Sequence, residues 1–251
     1  MEQAVLSSGI ARAIERRLGP DAPAWELLPA TGSAPRTGSP PGALLAVHGG
    51  GWAWVGPETL PAMHAAAGRY QAAGWDVLNV DYRAGARSIE DVGAFADALR
   101  SALGPRLPMG MYGVSAGGHL ALLTAARRDD VRFIVAEGAP TDLRRLTDTP
   151  EAQTVGRLAR DAFGSSPARL AELSPAHPPV AARIGARLLL ATSAADAIVP
   201  PGQVGLMVRA RPDITTGMVL EAGARPFIHA GVSDAAWARF RLAEQALRQL
   251  R

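Results

Sequence analysis

Two apolar patterns alternate along this chain of 251 residues. Short continuous apolar runs suit strands buried on both faces, and longer stretches with apolar positions every three or four residues suit helices. Positions 4–18 predict an amphipathic helix, with Val5, Ile10, Ile14 and Leu18 approximately on one face and Gly19-Pro20 as its stop. A short strand is expected over 25–28, and 29–42, with its Pro, Gly, Ser and Thr, reads as loop. A regular rhythm follows: strand 43–47, helix 60–73, strand 75–82, helix 89–103, an apolar run from 108, a helix ending near 128, and strand 131–136. Residues 140–180 interrupt it with Pro, Thr, Asp and short helical pieces. Strand 187–192, helix 202–210, strand 215–221 and helix 234–250 then complete the pattern. Strands alternating with helices predict an α/β architecture with a mostly parallel sheet covered on both faces. One domain over 1–251 is the economical organisation, with 140–180 as a partial lid over the carboxyl edge of the sheet.

Composition changes this picture little. Hydrophobic residues make up 48% of the chain, and no apolar run approaches the ~20 residues of a membrane span. The isoelectric point near 10.1 suggests nucleic acid at first, but net charge is only +3 and every basic residue is Arg. With three Tyr and no Cys, little titrates between neutrality and the guanidinium, so a small surplus moves the isoelectric point far up. The Arg residues are scattered and read as solvated surface, without a nucleic-acid stripe. Absence of Cys removes disulfides, thiolate metal sites and a cysteine nucleophile together. No His-x-x-x-His pair or acidic cluster has ligand spacing, so neither a metal nor a cofactor is expected. The first nineteen residues have no apolar core of signal-peptide type, which makes a cytoplasmic location the expectation.

The stretch carrying the most chemistry is Gly113-Val114-Ser115-Ala116-Gly117. It sits between an apolar run and an Ala/Leu-rich helical pattern, the strand–turn–helix setting that holds a serine in a sharp, strained turn. Gly-x-Ser-x-Gly alone is weak, since a match arises by chance in roughly one chain in seven of this length. A second motif upstream, His48-Gly49-Gly50-Gly51-Trp52, is rarer, below about one in a hundred, and the pair is more specific than either. Serine needs a base, and the base needs a partner that sets its tautomer. Asp196 follows the apolar strand 187–192 in a loop of small residues and is the candidate orienting acid; Asp213, beside Pro212, is the alternative. His229 lies between the last strand and the last helix and is the candidate base, with His177 its rival. His48 suits a loop anchor, His64 a solvent-facing or capping place, and His119 a structural one. Backbone amides of Gly50, Gly51 and Ala116 are candidates for an oxyanion hole. Trp52 and Trp54 either line the substrate pocket or belong to the core.

Together with Val80-Asp81-Tyr82-Arg83, Gly118-His119-Leu120 and Asp196-Ala197-Ile198-Val199-Pro200, these motifs resemble the α/β-hydrolase superfamily. The resemblance is to small carboxylesterases of the hormone-sensitive-lipase-like type and to the arylformamidase branch, and it covers about 43 to 250. It implies the α/β-hydrolase fold, a Ser115–Asp196–His229 triad and an oxyanion hole at Gly50, Gly51 and Ala116. In that family the histidine usually follows a Gly and precedes an aromatic; here Ile228 precedes it and Ala230-Gly231 follow. The expected activity is hydrolysis of a small carboxylic ester through an acyl-enzyme. Two alternatives stand beside it: an arylformamidase-type amide hydrolase, and a non-hydrolytic ligand binder or synthase on the same fold. The expected partner is a small-molecule ester or amide substrate, with no nucleic acid and no membrane. The closing helix and an edge strand could also form a homodimer.

Overall fold

The computed structural model describes residues 2–32, 42–148 and 153–249. Residues 33–41 of the loop expected over 29–42, and 149–152 of the segment expected to interrupt the rhythm, lie outside the described residues. The chain runs α1 (Glu2–Leu18), β1 (Trp25–Leu28), β2 (Ala43–Val47), a 3-10 helix (Pro57–Met63), α2 (His64–Gln71), β3 (Asp76–Val80) and α3 (Arg87–Leu103). It continues through β4 (Met109–Val114), α4 (Ala116–Ala125), β5 (Val131–Glu137), α5 (Leu143–Asp148), α6 (Gln153–Phe163), α7 (Pro167–Glu172) and α8 (Pro178–Ala181). The last part is β6 (Arg187–Ser193), α9 (Gly202–Ala210), β7 (Thr215–Leu220), β8 (Ala222–Arg225) and α10 (Asp234–Gln249).

Among the described residues, seven strands form one sheet in the order β1-β3-β2-β4-β5-β6-β7. Only β1 is antiparallel to its neighbour; all the other pairs are parallel. Every residue of β2 and β3 is buried, as the unbroken apolar run at 43–47 required. Alternate strand residues feed two cores. Leu45, Val47, Met111, Ile134 and Leu188 pack with α1, α3 and α4, while Leu44, Ala46, Tyr112, Val135 and Leu189 pack with α2 and α10. This is the α/β-hydrolase architecture.

The expected helix over 60–73 divides in two. Pro61 has no amide to donate, and the segment starts as 3-10 helix before α2 begins at His64. The strand expected over 75–82 stops at Val80, because Asp81 and Tyr82 turn toward the glycine loop. The helix expected to end near 128 closes at Ala125. One strand is absent from the sequence pattern: β8 is exposed throughout and is held by bridges from Ala222 and Arg225 to Val232. No described helix is long and apolar enough to cross a membrane.

Candidate active site

Ser115 sits where β4 gives way to α4, at φ 52 and ψ −120. A non-glycine residue seldom adopts this region, and its cost marks a place where surroundings over-determine the backbone. Those surroundings are close-packed. A Cβ on Gly113 would lie 2.4 Å from the Gly117 carbonyl oxygen, and one on Gly117 would lie 2.1 Å from that of Val47. Both positions therefore exclude any side chain. The Ser115 amide donates to the Glu137 carbonyl of β5 at 2.8 Å. Its hydroxyl makes no hydrogen bond among the described residues, and only 7% of the residue is exposed. The amide of Ala116, in the first turn of α4, is likewise not spent on another protein group there. The positive end of that helix lies under the serine.

Asp196 lies in the turn after β6, and its two oxygens are fully committed. Oδ1 accepts from the amides of Ile198 at 3.0 Å and Val199 at 2.9 Å. Oδ2 accepts from the Thr192 hydroxyl at 2.9 Å and faces His229 Nδ1 at 2.9 Å. Burial pushes this carboxyl up, but the bonds from His229, the Val199 amide and Thr192 outweigh it and hold it below the ordinary carboxylate value. His229 also has positive φ, 63°, inside a tight turn in which the Ala230 amide donates to the Ile228 carbonyl at 2.8 Å. The Ser193 hydroxyl bonds the Gly231 carbonyl at 2.8 Å, tying this loop to the end of β6. The glycine expected before the histidine is replaced by Ile228, which lies with His229 against Gly138. A Cβ on Gly138 would stand 3.1 Å from Ile228 Cγ2 and 3.1 Å from His229 Nδ1.

These contacts bring the three residues to one sheet edge. Glu137 holds the Ser115 amide, the next residue carries the His229 ring, and that ring is paired with Asp196. With Nδ1 engaged, His229 Nε2 has no bonded partner among the described residues.

The glycine loop after β2 has φ +117 at Gly50 and +61 at Gly51, conformations that glycine adopts without steric cost. The Gly49 carbonyl accepts from the Tyr82 hydroxyl at 3.1 Å and faces His48 Nδ1 at 2.5 Å. A planar trans peptide points its N–H opposite its carbonyl, so these two side chains aim the Gly50 amide away from themselves. Burial, with the Asp81 charge nearby, pushes the Tyr82 phenol far up and keeps it a donor. His48 Nε2 faces Asp81 Oδ1 at 3.0 Å, and Asp81 Oδ2 accepts the Gly56 amide at 3.0 Å. Leu158 of α6 roofs Gly51: a Cβ there would be 2.5 Å from Leu158 Cδ1.

The other candidates separate clearly. Trp52 is fully buried, T-shaped against His119 and Phe163, and its N–H donates to His119 Nδ1 at 3.2 Å. It is a core residue, which corrects its placement among pocket-lining candidates. Trp54 is 50% exposed and stays at the mouth of the glycine loop. His119 also donates from Nε2 to the Leu173 carbonyl at 2.7 Å, and burial lowers its pKa to about 4. His64 pairs with Glu26 at 2.6 Å, and His177 is the residue before α8. Asp213 is engaged with Arg211 at 2.8 Å, far along the chain from the serine turn. Sequence reasoning assigned no role to Tyr82, Asp81, Glu137 or Gly138. The first two carried a signal, since Val80-Asp81-Tyr82-Arg83 closes an apolar strand with polar groups. Among the described residues no three His, Asp or Glu side chains are grouped to hold a metal ion.

The prolyl oligopeptidase family matches residues 73–217, more than half of the chain. The chain belongs to that family. It thus has the fold of the α/β-hydrolase superfamily. No curated protein matches it in sequence. Among solved structures it is similar to a puromycin-hydrolyzing peptidase of Mycobacterium tuberculosis, at 23% identity and TM-score 0.66. That match covers 89% of this chain and 36% of the other, so this member spans about a third of that peptidase's length. Esterase 2 of Thermogutta terrifontis, solved phosphonylated by sarin, matches at 20% identity and TM-score 0.67, over 89% of this chain and 88% of the esterase. A hormone-sensitive-lipase homologue from a metagenome library matches at 17% and 0.62, over 98% and 96%. At these identities the likeness is one of fold.

Proposed function

We propose that this member of the prolyl oligopeptidase family cleaves a small carboxylic ester through an acyl-enzyme on Ser115. In this reading His229 Nε2 takes the serine proton as the hydroxyl attacks the carbonyl carbon, then returns it to the leaving alcohol. Water, deprotonated by the same nitrogen, releases the acid. Asp196 keeps the imidazole in the tautomer with its proton on Nδ1 and stabilises the imidazolium. The oxyanion is received by the amides of Gly50, Gly51 and Ala116, and the 140–180 segment serves as a partial lid beside Trp54. The observation that carries this reading is the His229–Asp196 pair seated on Gly138, one residue beyond the carbonyl that holds the Ser115 amide.

A second reading, hydrolysis of an amide by the same groups, draws support from the family match, whose founding activity is on peptide bonds. Arylformamidase-type cleavage of a formyl group from an aniline nitrogen is one form of it. The test begins with a fluorophosphonate probe on the purified protein and on Ser115→Ala. Labelling of the first and not the second is expected; an inert Ser115 favours the non-hydrolytic scaffold. Parallel assays with p-nitrophenyl acetate, N-formylkynurenine and an aminoacyl p-nitroanilide then separate ester from amide chemistry. Turnover of the anilide with none of the ester overturns the first reading.

A further inference from the structure

One buried charged cluster takes no part in the chemistry proposed for Ser115 and His229. It lies on the sheet face covered by α2 and α10, behind the turn that ends β5. The Glu137 carboxylate is buried and accepts from Arg69 Nη2 at 3.0 Å. Tyr112 of the neighbouring strand β4 lies beside the pair, its ring under the Arg69 guanidinium. Arg69 also bonds Glu244 Oε1 on α10 at 3.2 Å, and the same oxygen accepts from the Tyr70 hydroxyl at 2.6 Å. Arg241 pairs with the other Glu244 oxygen. The Arg69 guanidinium is flanked by the rings of Trp237 at 5.4 Å and Tyr112 at 5.5 Å.

Burying carboxylates is expensive, and apolar residues of similar volume often give equal or greater stability. What a clamped carboxylate adds is a directional hold on its own backbone. The peptide between Glu137 and Gly138 is one rigid plane. Its oxygen accepts the Ser115 amide at 2.8 Å, and its N–H donates to the Ala191 carbonyl of β6 at 2.8 Å. Gly138 itself has φ +57 and lies against the His229 ring. A twist of this plane therefore moves the backbone of the nucleophile and the seat of the base together.

We infer that Glu137 is a positioning residue: its side chain, clamped by Arg69, fixes the tilt of the Glu137–Gly138 peptide that sets Ser115 against His229. The inference rests on the roles proposed above for those two residues. Glu137→Met removes the clamp at similar volume, whereas Glu137→Gln keeps the side chain's length and an oxygen for Arg69. With p-nitrophenyl acetate, Glu137→Met lowers kcat roughly tenfold or more and leaves KM within about twofold, since small misplacements of reacting groups act on turnover. Glu137→Gln restores kcat to within about threefold of the parent. A folded Met variant with the parent's kcat overturns the inference, as does an equal loss in both variants. Should the Met variant fail to fold, Arg69→Lys keeps the charge and gives up the planar fork that spans Glu137 and Glu244; an about threefold fall in kcat at constant KM supports the inference, and an unchanged kcat overturns it. Fluorophosphonate labelling of the parent separates the two levels. A parent that is unlabelled at Ser115 overturns the hydrolase reading and this inference together. A labelled, active parent beside a full-speed Met variant overturns the Glu137 inference alone.

Discussion

His48–Asp81 and His229–Asp196 are built from the same two side chains at nearly the same separation, 3.0 and 2.9 Å. They flank β4, one pair beyond β2 and β3, the other beyond β6. The first is closed on itself. His48 is stacked on Tyr82 with ring centroids 4.4 Å apart, and both its nitrogens face oxygen acceptors. The second pair uses only Nδ1, and Nε2 stays unbonded among the described residues. A histidine–aspartate pair is thus no proof of a proton shuttle; the unengaged nitrogen of the second pair is what the role proposed for His229 rests on. In the first pair the imidazole holds a loop; in the second, under the proposed function, it serves as the base.

The largest expected effect tests that contrast directly. His229→Gln should lower kcat by about 10⁴-fold or more, as loss of a catalytic base does elsewhere. His48→Gln should cost no more than about 10²-fold, the scale of one misdirected oxyanion donor. Turnover of p-nitrophenyl acetate measures both, and a reversed order makes His48 the base. The aspartates extend the test. Asp196→Asn should cost about 10³–10⁴-fold through the wrong tautomer, and Asp81→Asn about tenfold, a fraction of one oxyanion donor's worth. Equal losses would erase the distinction between the pairs. Tyr82→Phe should lower kcat about three- to tenfold with KM unchanged, because the Gly50 amide loses one of the two bonds that aim it. A change confined to KM would place Tyr82 in ground-state binding instead.

A third imidazole sharpens the comparison from the side of stability. His119, with both nitrogens bonded and its pKa lowered to about 4 by burial, takes up its proton in the unfolded chain first. Its contribution is fully present above pH 6.5 and is lost as pH falls toward 4, a change of about 3 kcal/mol. Denaturant melts across that window should steepen this loss in the parent and flatten it in His119→Gln. Asp196 acts lower: held below the ordinary carboxylate range, its contribution is present above that range and lost only beneath it.

The alternation of apolar runs and helical patterns made the parallel sheet legible before any coordinates, because each element's burial is written locally in its period. Pro61 was visible too, yet the helical composition around it concealed the 3-10 start. Strand β8 had no signal: its four residues are exposed, and it exists because Val232 and Gly231 fold back on it. The candidates Ser115, Asp196 and His229 were nameable from loop position and chain order. Trp52 was not separable from Trp54, since an indole two residues away in sequence faces either the core or the solvent according to the turn between them. Glu137 carried no mark at all, because its partner Arg69 comes from α2 and is itself tied to Glu244 of α10.

Residue type, spacing and period determined by themselves which segments become strands and helices, and which polar side chains have the chemistry to serve as nucleophile, acid partner and base. Those properties are covalent or local, so one dimension holds them. The folded packing alone decided which of the two histidine–aspartate pairs keeps a nitrogen unengaged, which tryptophan is buried, and which carboxylate is clamped behind the Ser115 turn. Each of these depends on groups far apart along the chain whose distances exist only after the sheet has assembled.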